Sequence, residues 1–246
     1  MSTKIFRTFD HREVSIDGLY RDQSLFILFG GPSLAKMDLS ALSQPGIMTM
    51  GVNNSPKIYR PKLWVSGDTP SHFMVSIWKD PTITKFASNG KSDIGEGNKI
   101  FDNNRWQTTE TMVRDCPGVV FYGLSSKWNP DTFLTEKCVS WGNHGRRCEC
   151  GFEKSEADKK KFKTCPKCGE SKWGTRSVFL IALKIAYVLG FRTVYLVGCD
   201  FRMEEGVQNY AWDQDRARGA IRNNNKTYGR LNERCDKLRP IFEKTG

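Results

Sequence analysis

Four cysteines close together carry the most specific chemistry in this 246-residue chain. Cys148 and Cys150 open the stretch CECGFEKSEADKKKFKTCPKCGE, and Cys165 and Cys168 follow in its second half. Two thiolate pairs at this separation match a tetrahedral structural zinc site. The second pair forms a C-P-x-C-G knuckle, whose glycine lets backbone amides turn towards the thiolates. The first pair is C-x-C, a less common but feasible arrangement. Four protein ligands leave no open coordination position, so the spacing argues against a catalytic zinc. Cys138 and His144 lie near enough in sequence to serve as substitute ligands, and the bland alternative is four free thiols in a loop.

A second group of residues suggests ligand binding. In LFILFGGPSLAKMDLSAL an apolar run passes straight into Gly30, Gly31, Pro32 and Ser33. Small residues at a strand-to-helix turn let backbone N–H groups approach a phosphate or ribose. The pattern is neither G-x-G-x-x-G nor a Walker motif, which disfavours a dinucleotide dehydrogenase or a P-loop kinase. Asn53 and Asn54 can bond a base or ribose, or cap the following turn. Asp68 in SGDTPSHF can cap a helix or bind substrate, and Asp200 closes an apolar run. The stretch NYAWDQD supplies Tyr210, Trp212, Asp213 and Asp215, a set suited to stacking on a base or sugar. Arg216, Arg218, Arg222, Lys226 and Arg230 follow it, and five cations suit a phosphate or an anionic acceptor. His72 and His144 have no partner in a nucleophile motif, and no G-x-S-x-G signature is present.

These residues need strands to carry them. SLFILFG, GIMTMGVNN, PKLWVSGD, GVVFYGL and TVYLVGCDF read as short strands, apolar throughout and ended by small or polar residues. SVFLIALKIAYVLGF reads as a helix with Gly190 after its end, leading directly into the last strand. Alternating strands and helices predict an α/β fold with a parallel sheet covered on both faces. Ligands of such sheets bind outside the strand carboxyl ends, where Gly30, Gly31, Asn53, Asp68 and Asp200 all fall. Residues 1–24 read as an irregular N-terminal arm, residues 79–111 as long loops with short elements, and residues 138–173 as the inserted zinc ribbon. The final stretch YGRLNERCDKLRPIFEKTG reads as an amphipathic helix.

The formal net charge is +11, and two blocks carry it. Residues 144–176 hold ten Lys/Arg against five Asp/Glu, and residues 216–246 hold nine against three. A basic surface points to nucleotides, nucleic acid or anionic glycans, with a solubilising face as the plain alternative. No run approaches the roughly 20 apolar residues of a membrane span. The start MSTKIFRTFDHREV lacks a secretory leader's apolar stretch, so cytoplasmic residence is expected.

The segments ILFGGPSLAKMDLSAL, GVNNS, VSGDTPSHF, ALKIAYVLGFRTVYLVGCDF and NYAWD resemble, in order and spacing, bacterial sialyltransferases of the Campylobacter type. The layout is also similar to that of methanopterin-pathway diphosphokinases and flagellin-modifying Maf proteins. The resemblance covers most of the chain outside the N-terminal arm and the cysteine-rich insert. It implies a doubly wound, Rossmann-like sheet binding a mononucleotide, CMP in the sialyltransferases. Gly30, Gly31, Pro32, Ser33 and Asn53 would form the nucleotide cradle. Asp68 or Thr69 would stand near the donor, Thr175 to Ser177 in the turn leading into the helix that touches it, and Asp200 at the cytidine or ribose. Tyr210 would help the phosphate leave. This chain departs from the family at Gly30, where the family has asparagine, and at Arg230, where the sialyltransferases have their catalytic histidine. Asp213 or Asp68 would then be the general base, and Arg230 would stabilise a leaving phosphate. Relatives continue into a further strand, so a C-terminally truncated domain spanning residues 25–246 is expected.

Three functions follow as expectations. The first is an inverting glycosyltransferase using a nucleotide-linked sugar, CMP-linked by the resemblance. The second is an ATP- and Mg²⁺-dependent diphosphokinase-like transferase with Asp200 and Asp68 as metal ligands. The third is a non-enzymatic nucleic-acid-binding or modification accessory protein using the ribbon and the C-terminal arginines. An inserted ribbon on an enzyme core would suit a viral or phage protein.

Overall fold

Runs of two to five residues, too short to fill a helix, become strands here, and the longer ones end at glycine, asparagine or other small residues. A computed structural model describes residues 6–88, 98–102, 105–123, 130–135, 148, 150, 152–155, 157, 158, 161, 162, 164–169, 177–212 and 218–244. In chain order the strands are β1 (Phe6–Arg7), β2 (Glu13–Val14), β3 (Ser24–Leu28), β4 (Met48–Val52), β5 (Leu63–Val65), β6 (Thr84–Ser88), β7 (Asn98–Asp102), β8 (Arg105–Thr109), β9 (Val119–Tyr122) and β10 (Thr193–Val197). The α-helices are α1 (Val75–Trp78), α2 (Val178–Val188) and α3 (Arg218–Lys244).

Eight strands form one sheet in the order β10-β3-β4-β5-β6-β9-β1-β2, and β7 pairs with β8 as a separate hairpin. The six strands from β10 to β9 are parallel, and β1 and β2 add antiparallel pairings at one edge. The fold is therefore mixed α/β, with a mostly parallel sheet flanked by helices. Alternation along β3 shows how the faces are used. Leu25 and Ile27 pack into the main core with Leu180, Ile181 and Ile185 of α2 and Leu231 and Leu238 of α3. Phe26 and Leu28 point the other way, towards Leu34, Leu42 and Ala211. Farther along that second face, Trp64 packs against Phe73, Ile77 and Trp78.

The structure differs from the sequence expectations in four places. The supposed irregular arm contributes β1 and β2, and Phe6 is fully buried with its ring 5.4 Å from that of Phe86. The stretch expected to be long loops with short elements holds three five-residue strands, β6, β7 and β8. Lys85 hid β6, because a cation breaks the apolar run. In the fold it is fully buried, and its Nζ donates to the carbonyls of Ile83 (2.8 Å), Pro117 (2.7 Å) and Asp80. Burial, the larger influence, holds that ammonium below its usual range against the opposing charge of Asp80. β10, expected to be covered on both faces, is the sheet edge, with Tyr195 48% and Leu196 44% exposed.

Finally, α3 begins ten residues before the expected helix, through a glycine- and asparagine-rich stretch of low helix propensity. Tertiary bonds hold it there. Asn225 accepts from the Met203 N–H and donates to the Met203 carbonyl, both at 2.8 Å. Among the described residues no helix is long and apolar enough to cross a membrane.

If the N-terminal strand belongs to the core, Phe6→Ala should lower stability by about 3–5 kcal/mol in urea denaturation. A cost near zero would show that β1 docks without contributing.

Candidate functional site

Strand order locates a crevice before any side chain is considered. From β3 the chain steps outward through β4, β5, β6 and β9, and then α2 leads back to β10 on the other side of β3. The connections leaving β3 and β10 thus diverge, and the gap between their carboxyl ends is a topological switch point. Gly30 and Gly31 follow β3 at this gap, and Asp200 follows β10.

The two glycines make room for the chain's own side chains. Gly31 has φ −68°, ψ 154°, a conformation any residue adopts, so space rather than backbone freedom demands glycine. A Cβ there would overlap the Asp200 carboxylate and lie 2.7 Å from the Gly198 carbonyl oxygen. Ser33 N–H, at the start of the 3₁₀ turn Pro32–Lys36, donates to Asp200 Oδ2 at 3.1 Å. Gly31 N–H donates to the Gly198 carbonyl at 2.9 Å. A Cβ on Gly30 would lie 2.5 Å from the Trp212 ring and 3.3 Å from the Tyr210 ring. Those rings stack on each other at 5.1 Å and 20°, and Ala211 N–H bonds the Gly30 carbonyl at 3.0 Å. The N–H of Ser33, expected to face a phosphate, is therefore held by a carboxylate. Asp200 Oδ2 is the oxygen that takes this bond, and a carboxylate at this place suits hydroxyl or amino donors rather than an anion.

Asn53 continues the rim, because the register of β3 on β4 sets it beside Gly30. Its φ is +51°, its Oδ1 accepts from Gly67 N–H at 3.3 Å, and its carbonyl accepts from Trp64 Nε1 at 2.7 Å. The side-chain oxygen therefore ties β4 to the end of β5. Phe201, just past Asp200, also has positive φ, +48°, a strained state for a bulky residue. Asn54 Oδ1 and Ser88 Oγ are buried without hydrogen-bond partners on this same end of the sheet. Buried polar atoms are normally paired, so these two are exceptions among the described residues. Sequence reading missed Ser88 because it missed β6.

The remaining expected residues are distributed as follows. Ser177 caps α2, its Oγ accepting from Phe179 N–H at 3.2 Å. The first turn of α2 lies over the end of β5, since a Cβ on Gly67 would sit 3.2 Å from Val178 Cβ. Asp68 and Thr69 are exposed. Arg230 is half-buried on α3. Asp213 and Thr175 lie outside the described residues. Cys199 lies beside Asp200, and burial chiefly, with the charges of Cys235 and Asp200, pushes its thiol up to about 12.

Away from this rim, Cys148, Cys150, Cys165 and Cys168 bring their sulfurs within 4.8 Å of one another. The closest approaches are 3.6 Å for Cys148 and Cys168 and 3.4 Å for Cys150 and Cys165, too long for disulfides. A tetrahedron of thiolates at the usual zinc–sulfur distance has edges of about 3.8 Å. The cluster could thus hold a metal ion such as zinc. The knuckle forms as its sequence suggests, with Gly169 N–H bonded to the Cys165 carbonyl at 2.8 Å. Burial opposes ionisation of Cys165, yet the N–H groups of Cys168 and Lys167 bring its thiol down to about 7. Cys138 and His144, the substitute ligands, lie outside the described residues. No protein-family model, curated protein or solved structure matches the chain.

The close approach at Gly31 has a measurable consequence. Gly31→Ala should cost about 1–3 kcal/mol, and that cost should shrink in an Asp200→Ala background because the two residues touch. Strictly additive losses would show that they do not.

Proposed function

We propose that the chain is a nucleotide-sugar-dependent transferase of the glycosyltransferase type, with a doubly wound, Rossmann-like core. The observation that carries this reading is the anchored Asp200 carboxylate at the β3–β10 switch point, beside the Tyr210–Trp212 stack and the Asn53 amide. Oriented by Ser33 N–H, Asp200 presents Oδ1 to the ribose or base of a mononucleotide, CMP by resemblance. The aromatic pair offers a face to the base or sugar. The unpaired Asn54 Oδ1 and Ser88 Oγ add acceptors along the same rim.

In the inverting reaction the acceptor hydroxyl oxygen attacks the sugar's anomeric carbon as its bond to the phosphate oxygen breaks. The nucleotide leaves with the bonding electron pair, and the acceptor proton passes to a carboxylate, a role we assign to Asp213. Tyr210 and Arg230 meet the charge that grows on the departing phosphate. The four cysteines form the ligand set of a zinc ribbon inserted before α2, with a purely structural metal because no coordination position stays open.

Two measurements test these assignments. A mononucleotide at about 100 times its dissociation constant stabilises by about 2.7 kcal/mol, which for a chain this size raises Tm by about 5–10 °C. CMP should do so for the wild type and fail with Asp200→Ala, while Asp200→Asn keeps the Ser33 bond and separates folding from binding. Silence towards CMP, UDP, GDP and ATP alike would remove the transferase reading. Metal analysis should find one zinc per chain, lost with Cys165→Ser; a metal-free, fully folded wild type would retire the ribbon.

A further inference from the structure

α3 breaks two rules of helix electrostatics in its first half. Between residues 218 and 232 it has no acidic residue, and its cations Arg218, Arg222, Lys226 and Arg230 recur every four positions. Residues four apart on a helix stand one above another, so three successive like-charge pairs repel along a single ridge. The ridge also lies at the amino-terminal end, where the macrodipole already favours negative charge and disfavours cations. The second half of the same helix mixes both signs, with Glu233, Asp236 and Glu243 among its cations. Local rules broken in one place and kept in the next point to a ligand that repays the cost.

We propose that this ridge is a docking surface for the phosphate backbone of a nucleic acid. Arg218, Arg222 and Lys226 are exposed and Arg230 is half-exposed. At 1.5 Å per residue the four span about 18 Å, a length over which one nucleic-acid strand carries about five phosphates. Exposed Asn223 and Asn232 flank them and can donate to phosphate oxygens. The exposed large apolar side chains of the described residues all lie elsewhere, Tyr195, Leu196 and Val207 among them. A helix that settles on a lipid surface needs such an apolar face, so a membrane fits this ridge less well. Among the described residues Glu205, itself exposed, is ion-paired to Arg218 at 3.2 Å. It weakens attraction for a stray anion and leaves the longer polymer favoured.

The ridge is also well placed. Asn225, between Arg222 and Lys226, clamps the backbone of Met203, three residues beyond Asp200. A strand lying along α3 therefore passes beside the β3–β10 crevice. If that crevice is the transferase site proposed above, the docked polymer is its acceptor; the binding itself does not depend on that reading.

The test is fluorescence anisotropy of a 20-base-pair duplex probe, about two turns of DNA, with the full-length chain over 50–200 mM salt. Four phosphate contacts predict a slope of log K against log salt of about −3.6. Replacing Arg218, Arg222 and Lys226 together by Gln should weaken binding by more than about 10-fold and reduce the slope by about 3, with an unchanged circular dichroism spectrum. Arg222→Gln alone should reduce the slope by about 1, a readout that survives if the triple variant folds poorly. The proposal is overturned if the wild type does not bind at 50 mM salt, if the variants keep its affinity and slope, or if anionic phospholipid vesicles retain the protein more strongly than the duplex. The mononucleotide melting experiment contains no DNA, so each idea can fail without the other.

Discussion

One hydrogen bond joins the two directions in which this sheet was built. Asp200 comes from the last parallel strand and Ser33 from the turn after the first, 167 residues earlier in the chain. Their bond closes the gap that the reversed strand order opens between β3 and β10. It works only because Gly31 has no side chain, since the carboxylate occupies the space a Cβ would need. A helix-like turn with free N–H groups attracts an anion, and here the chain supplies its own. The turn's Ser33 N–H is thereby held by a carboxylate of the chain itself.

Around that bond, ordinary packing holds unusual local states. Asn53 and Phe201 sit at positive φ on either side of the rim, each over-determined by its neighbours. Asn53 is fixed by bonds from Gly67 and Trp64. Phe201 is wedged between Phe179, at 5.1 Å, and Tyr228, at 5.8 Å, and so couples α2 to α3. At the opposite end of the sheet Lys85 plays the reverse part. Its buried ammonium gathers three backbone carbonyls, and this fixes the approach to β6. The rim is strained, while the base of the sheet is pinned.

The edges are handled differently from the centre. One edge is extended by β1 and β2, short strands that hide the flank of β9. The other edge, β10, keeps apolar side chains exposed, with Tyr195 stacked on Phe26 at 4.7 Å as partial cover. The charge of the chain follows a similar division. The surplus cations sit in the cysteine-rich stretch and on α3, away from the nearly neutral sheet. Near four thiolates cations offset negative charge, whereas α3 between residues 218 and 232 contains no acidic residue.

Much was legible in the residues alone. The apolar runs at β3, β4, β5, β9 and β10 and the helix at α2 could be placed because short buried elements need continuous hydrophobicity and end at glycine or asparagine. The cysteine spacing located its cluster because a thiolate tetrahedron permits few loop lengths. The turn at Gly30 and Gly31 was marked as a place of close approach. What approaches it was not legible, since the Asp200 carboxylate and the Trp212 ring come from the far end of the chain. β6 was hidden by a lysine whose partners are backbone carbonyls, which have no residue identity to read. The burial of Phe6, the exposure of β10 and Asp68, and the extent of α3 were likewise decided by neighbours distant in sequence. Local composition fixes what a segment can become; contacts across the sheet fix which side chains meet, because they depend on strand order and register that no short window contains.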